Sequence, residues 1–302
     1  MKGKKVLVIG GAGFIGSHLC ERLVQSGNEV VSIDNYFTGS ERNHISGVRY
    51  YPYATHDLLN SPFVYEPNFD VVYHLGEYSR VEQSFKDIRL VHKYNTHGTF
   101  QVLEYIRDTG AKLIYAGSST KFGDNGVNAS PYAFTKAQNT QLIMNYAKWF
   151  DIDYAITYFY NVYGGREIKD GKYATLIALF KENIKKGKKL KVVSPGTQKR
   201  HFTHIDDVIE ALVLIGEKGR GDEYGIGSDE SYSILEVAEM FGGEIEMLPQ
   251  REGNRMNGDL VTDKTKDLGW TASHSLKKYI SDSKNKKRLE TNKTRTKYKL
   301  CK

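Results

Sequence analysis

The chain has 302 residues, 39% hydrophobic and 26% charged, with 29 Gly and 6 Pro, a balance that fits a globular protein of one large domain or a large and a small one. Two cysteines, Cys20 and Cys301, argue against a disulfide framework, and no apolar run reaches membrane-spanning length. The net charge of +7 does not point to nucleic acid, because residues 281–302 hold nine Lys/Arg against Asp282 and Glu290 and the remainder is neutral overall.

The opening Met1-Lys2-Gly3-Lys4-Lys5 has no signal-peptide pattern, so a reducing cytoplasm is the expected setting. Lys5–Ile9 is a continuous apolar run, the signature of a buried parallel strand. It leads into Gly10-Gly11-Ala12-Gly13-Phe14-Ile15-Gly16 and then an apolar-periodic helix through Leu23. Gly10 allows the tight turn, Gly13 lets the backbone approach a pyrophosphate, and Gly16 lets helix and strand pack closely. Phosphates would sit on the helix N-terminus beside Phe14 and Ile15. The next strand, Glu29–Ile33, ends in Asp34 and Asn35. A carboxylate there binds both adenosine ribose hydroxyls and repels a 2′-phosphate, so NAD is expected over NADP.

Tyr50–Tyr53 reads as a third strand, with Asp57 and Leu58 placed to line an adenine pocket. Asp70–Leu75 is a fourth strand, and Gly76-Glu77 follows Leu75 at its carboxyl end, where such sheets hold ligands. Arg89–Arg107 is a long helix, and Lys112–Ala116 a fifth strand ending in Gly117-Ser118-Ser119-Thr120. Tyr132 and Lys136 then stand four residues apart at the start of an amphipathic run, Ala137–Phe150, so both project from one helix face. An ammonium beside a phenol favours the phenolate, which suits proton exchange with a hydroxyl. Ile152–Tyr160 is a sixth strand, ending at Asn161. This alternation predicts an α/β fold, a doubly wound parallel sheet of Rossmann type. Beyond residue 165 the pattern loosens into a helix over Tyr173–Ile184, a strand at Leu190–Val193, a helix at Asp206–Ile215, the segments Ile234–Phe241 and Ile245–Leu248 and a closing Leu268-Gly269-Trp270. Residues 1–165 are expected to bind NAD with later segments returning to the sheet, and 166–280 to form mainly a mixed α/β substrate domain. Residues 281–302 read as a basic disordered tail.

Taken together, these motifs resemble the extended short-chain dehydrogenase/reductase family, in its nucleotide-sugar epimerase and dehydratase branch. The resemblance implies a tightly held NAD, reduced and reoxidised within one cycle, and a nucleotide-diphosphate sugar as substrate. Ser118, Tyr132 and Lys136 match its catalytic serine and Tyr-x-x-x-Lys pair, and Asn95 its structural asparagine. Ser119, Asn161, Arg200 and Arg251 match substrate contacts, the two arginines as clamps on the diphosphate. The resemblance also implies a homodimer built on the helices near 89–107 and 132–150, with no membrane or nucleic-acid partner.

Within the branch, 4,6-dehydratases follow the catalytic residue with Asp-Glu, and decarboxylating relatives carry Glu at the second position. Here Ser119 and Thr120 stand there, so epimerisation at C4 is expected, with dehydratase and 4-ketoreductase as alternatives. The departures are local. Ser118 and Tyr132 lie only fourteen positions apart, fewer than the family pattern; Lys121-Phe122 replaces Val-Tyr, and Tyr158 replaces an arginine. Glu77 stands where the family has alanine, and is expected to read a sugar hydroxyl or to act as an extra acid/base.

Overall fold

The computed structural model describes residues 1–61, 69–122, 126–250 and 258–285. It begins with strand β1 (Lys5–Ile9), helix α1 (Phe14–Gln25), and strands β2 (Glu29–Ile33) and β3 (Val48–Tyr51). Strand β4 (Val71–His74) follows, then the short helices α2 (Val81–Ser84) and α3 (Ile88–Val91), which lead through a π-helical segment, His92–His97, into α4 (Gly98–Thr109). Strand β5 (Lys112–Ser118), helix α5 (Pro131–Phe150) and strand β6 (Tyr154–Phe159) come next. The remainder comprises β7 (Val162–Tyr163), α6 (Leu176–Lys185), β8 (Leu190–Val193), β9 (Lys199–His201), β10 (Thr203–His204), α7 (Ile205–Lys218) and β11 (Gly221–Ile226). Last are β12 (Ser231–Ser233), α8 (Ile234–Phe241), β13 (Ile245–Leu248), α9 (Asp263–Asp267) and a final helix, α10 (276–285).

Seven parallel strands form one sheet in the order β11-β6-β5-β4-β1-β2-β3. Alternate residues of each strand feed opposite faces, as the pleat requires. Leu7, Ile9, Val72, Leu113 and Ile156 pack against Val102, Leu103 and Ile106 of α4 and Ile143 and Tyr146 of α5. Val6, Val8, Val71, Ile114 and Ala155 pack against Leu19 and Leu23 of α1 and Val208, Leu212 and Ile215 of α7. Each fully buried aliphatic side chain contributes about 1.5–3 kcal/mol, so a strand covered on both sides must be apolar at nearly every position. A third core, with Phe180, Leu190, Val192, Val237 and Phe241, holds the smaller lobe. The expected return to the sheet is made by α7 and β11.

Several boundaries differ from expectation for physical reasons. The third strand ends at Tyr51, because Pro52 has no N–H for the ladder. The helix expected from Tyr173 starts at Leu176, since Ala174 and Thr175 close a turn in which the Thr175 hydroxyl bonds Glu167 at 2.6 Å. The fifth strand continues through Ser118, which carries that serine to the sheet edge. Residues 281–285, expected to open a disordered tail, instead continue the helix whose Leu276, Tyr279 and Ile280 pack into the small-lobe core, and residues 286–302 lie outside the described residues. Helix α5 starts where Ser130-Pro131 directs, the Ser130 hydroxyl accepting from Ala133 N at 3.1 Å and proline occupying the first turn.

The C-terminal segment is strapped to α7. Asp207, 1% exposed, accepts hydrogen bonds from Ser273 Oγ at 2.8 Å and from the Ser273 and His274 backbone N–H groups, and His274 Nδ1 lies 2.8 Å from it. Trp270 Nε1 donates to the Asp207 carbonyl at 2.9 Å. Burial pushes the Asp207 carboxyl up, but the bonds from His274 and Ser273 outweigh it and hold it below the ordinary value. Its stabilisation is therefore complete above the unfolded pKa of about 3.9 and is lost as pH falls through the lower folded value. Asp207→Asn is expected to cost about 1–3 kcal/mol at neutral pH. Thermal melts should register that loss, and the gap between the two proteins should narrow as the solution is acidified.

Candidate active site

The strands β1, β2, β4 and β5 end on one side of the sheet, where a cavity of about 630 Å³ opens. The fingerprint turn forms its first wall. Gly10 has φ +88°, and a Cβ there would lie 2.9 Å from the Gly76 backbone. At Gly16 a Cβ would lie 2.1 Å from the Gly10 carbonyl oxygen, so neither position accepts a side chain. Gly13 caps α1 without any side-chain bond, and Phe14, Ile15 and Gly16 of its first turn line the cavity with backbone N–H groups that have no acceptor within the helix. Asp34, 8% exposed, lines the next wall beside Asn35 and accepts from Ala12 N at 2.9 Å and Tyr36 N at 2.8 Å. Burial raises the Asp34 pKa, and the hydrogen bonds from Tyr36 and Ala12 oppose the shift. A helix terminus for a diphosphate and a fixed carboxylate for a ribose diol fit a dinucleotide.

Leu75 lines the same cavity. Asp57 and Leu58 do not: the 3₁₀ turn Thr55–Asn60 exposes Asp57 and buries Leu58 completely in the core, and Thr55 faces the cavity instead.

The opposite wall carries the expected chemistry. Tyr132 and Lys136 reach the cavity from the first turns of α5, and Ser118 and Ser119 from the end of β5. Ser118 Oγ lies 2.8 Å from Thr120 Oγ1, so one of the two hydroxyls donates a hydrogen bond to the other. Lys136 Nζ donates to the Ala116 carbonyl at 2.5 Å and stands 4.8 Å from the Tyr115 ring centre. Asn95 lies inside the π-helical segment, where an extra residue per turn turns it inward. There it accepts from Tyr78 N at 2.7 Å and donates to Thr135 Oγ1 at 3.2 Å, tying α5 to the β4 loop.

Glu77 lines the cavity, but its carboxylate is 2% exposed and ion-paired to Lys136, with Thr99, Tyr115 and Asn139 as further donors. Asn161 and Arg200 both line the cavity, although the Asn161 amide donates to the His201 carbonyl at 2.9 Å. Arg251 lies outside the described residues.

Arg80 was not foreseen. Its Nε and Nη2 donate to the Tyr173 carbonyl at 2.9 and 2.5 Å, and its guanidinium, lowered in pKa by burial, lines the cavity without a carboxylate partner among the described residues. Only a contact across 93 positions brings it there, so no local signal marks it. A second unforeseen group surrounds Tyr158. Lys121 Nζ bonds Asp222 at 2.9 Å and Tyr158 OH at 3.2 Å, and Tyr158 OH bonds Asp222 at 2.6 Å, so the phenol sits within an ion pair between two distant segments.

A dinucleotide cradle and a Tyr–Lys–Ser set opening on one cavity define an enzyme of the extended short-chain dehydrogenase/reductase type. Residues 6–227 match the NAD dependent epimerase/dehydratase family, and the chain belongs to it. That membership makes NAD the dinucleotide of this cradle. The chain is 33% identical to a UDP-N-acetyl-alpha-D-glucosaminuronate decarboxylase of Bacillus cytotoxicus, over 78% of each protein. It is 31% identical to UDP-glucuronic acid decarboxylase 6 of Arabidopsis thaliana, over 78% of this chain and 72% of that one. Among solved structures it resembles the Thermus thermophilus UDP-glucose 4-epimerase in complex with NAD, with a TM-score of 0.83 and 26% identity over 91% of this chain and 96% of that one. It also resembles a UDP-glucuronic acid 4-epimerase mutant from Bacillus cereus, with a TM-score of 0.81 and 28% identity over 92% and 99%.

Asp34→Ala should weaken NAD⁺ binding about tenfold or more, as expected for losing charge-assisted hydrogen bonds. It should also narrow the preference over NADP⁺, and calorimetric titration with both dinucleotides checks the two effects together.

Proposed function

We propose that this protein uses NAD to oxidise and then re-reduce the sugar of a nucleotide-diphosphate sugar, with inversion at C4 as the outcome. The observation that carries the reading is that Tyr132, Lys136 and Ser118 line the same cavity as the Gly10–Gly16 turn and Asp34. When bound, NAD⁺ supplies the acceptance and return of a hydride. The chain's own residues supply everything else. Tyr132 removes the proton of the reacting hydroxyl and returns it, one helical turn from the Lys136 ammonium. Ser118 holds the same oxygen, and Thr120 gives its hydroxyl a second partner. Arg200 and Asn161 line the same cavity and are assigned the grip on the diphosphate, so that binding energy distant from the reacting carbon holds the sugar in register.

Inversion is preferred over elimination because Ser119 and Thr120 offer no carboxylic acid to protonate a departing hydroxyl. A second reading has specific support: relatives of this chain are UDP-uronate decarboxylases, and Arg80 brings an uncompensated guanidinium to the cavity wall. An uronic acid oxidised at C4 is a β-keto acid: its C5–C6 bond breaks to release carbon dioxide, the electron pair passes into a C4–C5 enolate, and a proton from solvent is added at C5 before C4 is reduced. The two readings share the Tyr132 chemistry and differ in the sugar admitted.

The expected assembly is a homodimer. Phe100 of α4 and Phe134, Trp149 and Phe150 of α5 are large apolar side chains left 40–61% exposed, which suits a shared helical face. Trp149→Glu should shift the protein to monomer in light scattering.

Incubation with UDP-, GDP-, CDP- and dTDP-hexoses and UDP-uronates, followed by proton NMR, tests the function. Inverted C4 stereochemistry without added cofactor supports the epimerase; a pentose product with carbon dioxide release supports the second reading, and loss of added NADPH absorbance overturns both. Tyr132→Phe should reduce turnover by about 10²–10⁴-fold, the usual range for losing a positioned acid/base, while NAD remains bound.

A further inference from the structure

Glu77 and Lys136 form a buried ion pair, with side chains 2% and 6% exposed. The carboxylate is held from several elements. Its Oε1 accepts from Thr99 Oγ1 of α4 at 2.7 Å, Asn139 Nδ2 of α5 at 2.9 Å and Tyr115 OH of β5 at 3.1 Å, and its Oε2 meets Lys136 Nζ. The remaining titratable neighbour, His74, lies 3.9 Å from Oε1, and burial pushes it down to about 4, so it is neutral near pH 7. Lys136 is therefore the charge partner of Glu77 among the described residues.

Two roles are compatible with a carboxylate beside a catalytic lysine: carrying protons away, or holding the lysine still. The surroundings favour the second. His74, Thr99, Tyr115 and Asn139 are all 0% exposed, so the hydrogen-bonded chain from Lys136 ends inside the protein. A lysine ammonium taken out of water costs several kcal/mol unless a counter-charge meets it, and a stranded carboxylate costs as much. The Ala116 carbonyl, the Tyr115 ring face and the Glu77 carboxylate together leave the long side chain one position at the cavity wall.

We propose that Glu77 is a positioning residue, which holds the Lys136 ammonium in one place at the cavity wall so that it can meet the bound dinucleotide and serve Tyr132. The inference rests on the function proposed above, but its test does not require sugar turnover. Glu77→Gln keeps the shape and removes the charge. It should weaken NAD⁺ binding about fivefold or more in the parent and less than about twofold in a Lys136→Met background, since groups in contact are non-additive. Lys136→Met alone strands a buried carboxylate, so its melting temperature should fall, and the double variant should recover most of the loss. With a turned-over sugar, Glu77→Gln should lower kcat by about tenfold and leave KM within about threefold, the pattern of an interaction used after the substrate is bound.

Tighter NAD⁺ binding by Glu77→Gln would identify the carboxylate as a competitor for Lys136 and overturn the proposal. Equal effects in both backgrounds, or a double variant no more stable than Lys136→Met, would overturn it as well. Should Glu77→Gln not fold, Glu77→Asp runs the same cycle, and its loss must again vanish in the Lys136→Met background. A sugar panel without products alongside an intact binding cycle would overturn the substrate reading alone.

Discussion

The close approach of two backbone turns organises this molecule. Gly10 follows β1 and Gly76 follows β4, neighbouring parallel strands, and a Cβ on Gly76 would lie 2.8 Å from Ile9 Cγ2 just as one on Gly10 would strike Gly76. With no side chain between them, the turn that receives a diphosphate and the residue preceding Glu77 become one rigid unit. The cofactor cradle and the group that holds Lys136 are thereby fixed to each other through main chain. Precision at the site comes from the sheet and needs no flexible loop to find it.

The sequence was informative wherever chemistry is local. A strand, a glycine turn and a helix N-terminus are contiguous, so Gly10, Gly13, Gly16 and Asp34 are legible from spacing and the backbone demands of each position. Tyr132 and Lys136 are legible for the same reason, one turn apart on a helix. What was not legible depends on contacts between distant segments. The donors that hold Glu77 are not legible in the sequence, because Asn139, 62 positions away, gives no sign of pointing at it. Asp57 and Leu58 read as pocket residues, yet in a 3₁₀ turn, with three residues per turn, one faces solvent, the other enters the core and Thr55 faces the cavity. Arg80 carries no motif at all.

The departures from the family pattern read differently once they are seen as sets. Tyr158, Lys121 and Asp222 exchange charge among themselves and leave the local balance intact. Glu77 comes with a full complement of donors from α4, α5 and β5, which a buried acid requires. Arg80 differs, since its charge is left for something other than the described protein groups to answer. The departures at Tyr158 and Glu77 are thus answered within the fold, whereas Arg80, which is no departure from the pattern, faces the cavity.

The strap at Asp207 has a mechanical consequence. Trp270 is embedded in the core beneath the sheet, whereas Leu276 and Ile280 belong to the core of the smaller lobe. Residues 271–275 between them are pinned at Ser273 and His274, leaving little slack. A segment anchored at both ends shortens the chain available between the two cores, so their separation is limited by main chain as well as by side-chain packing.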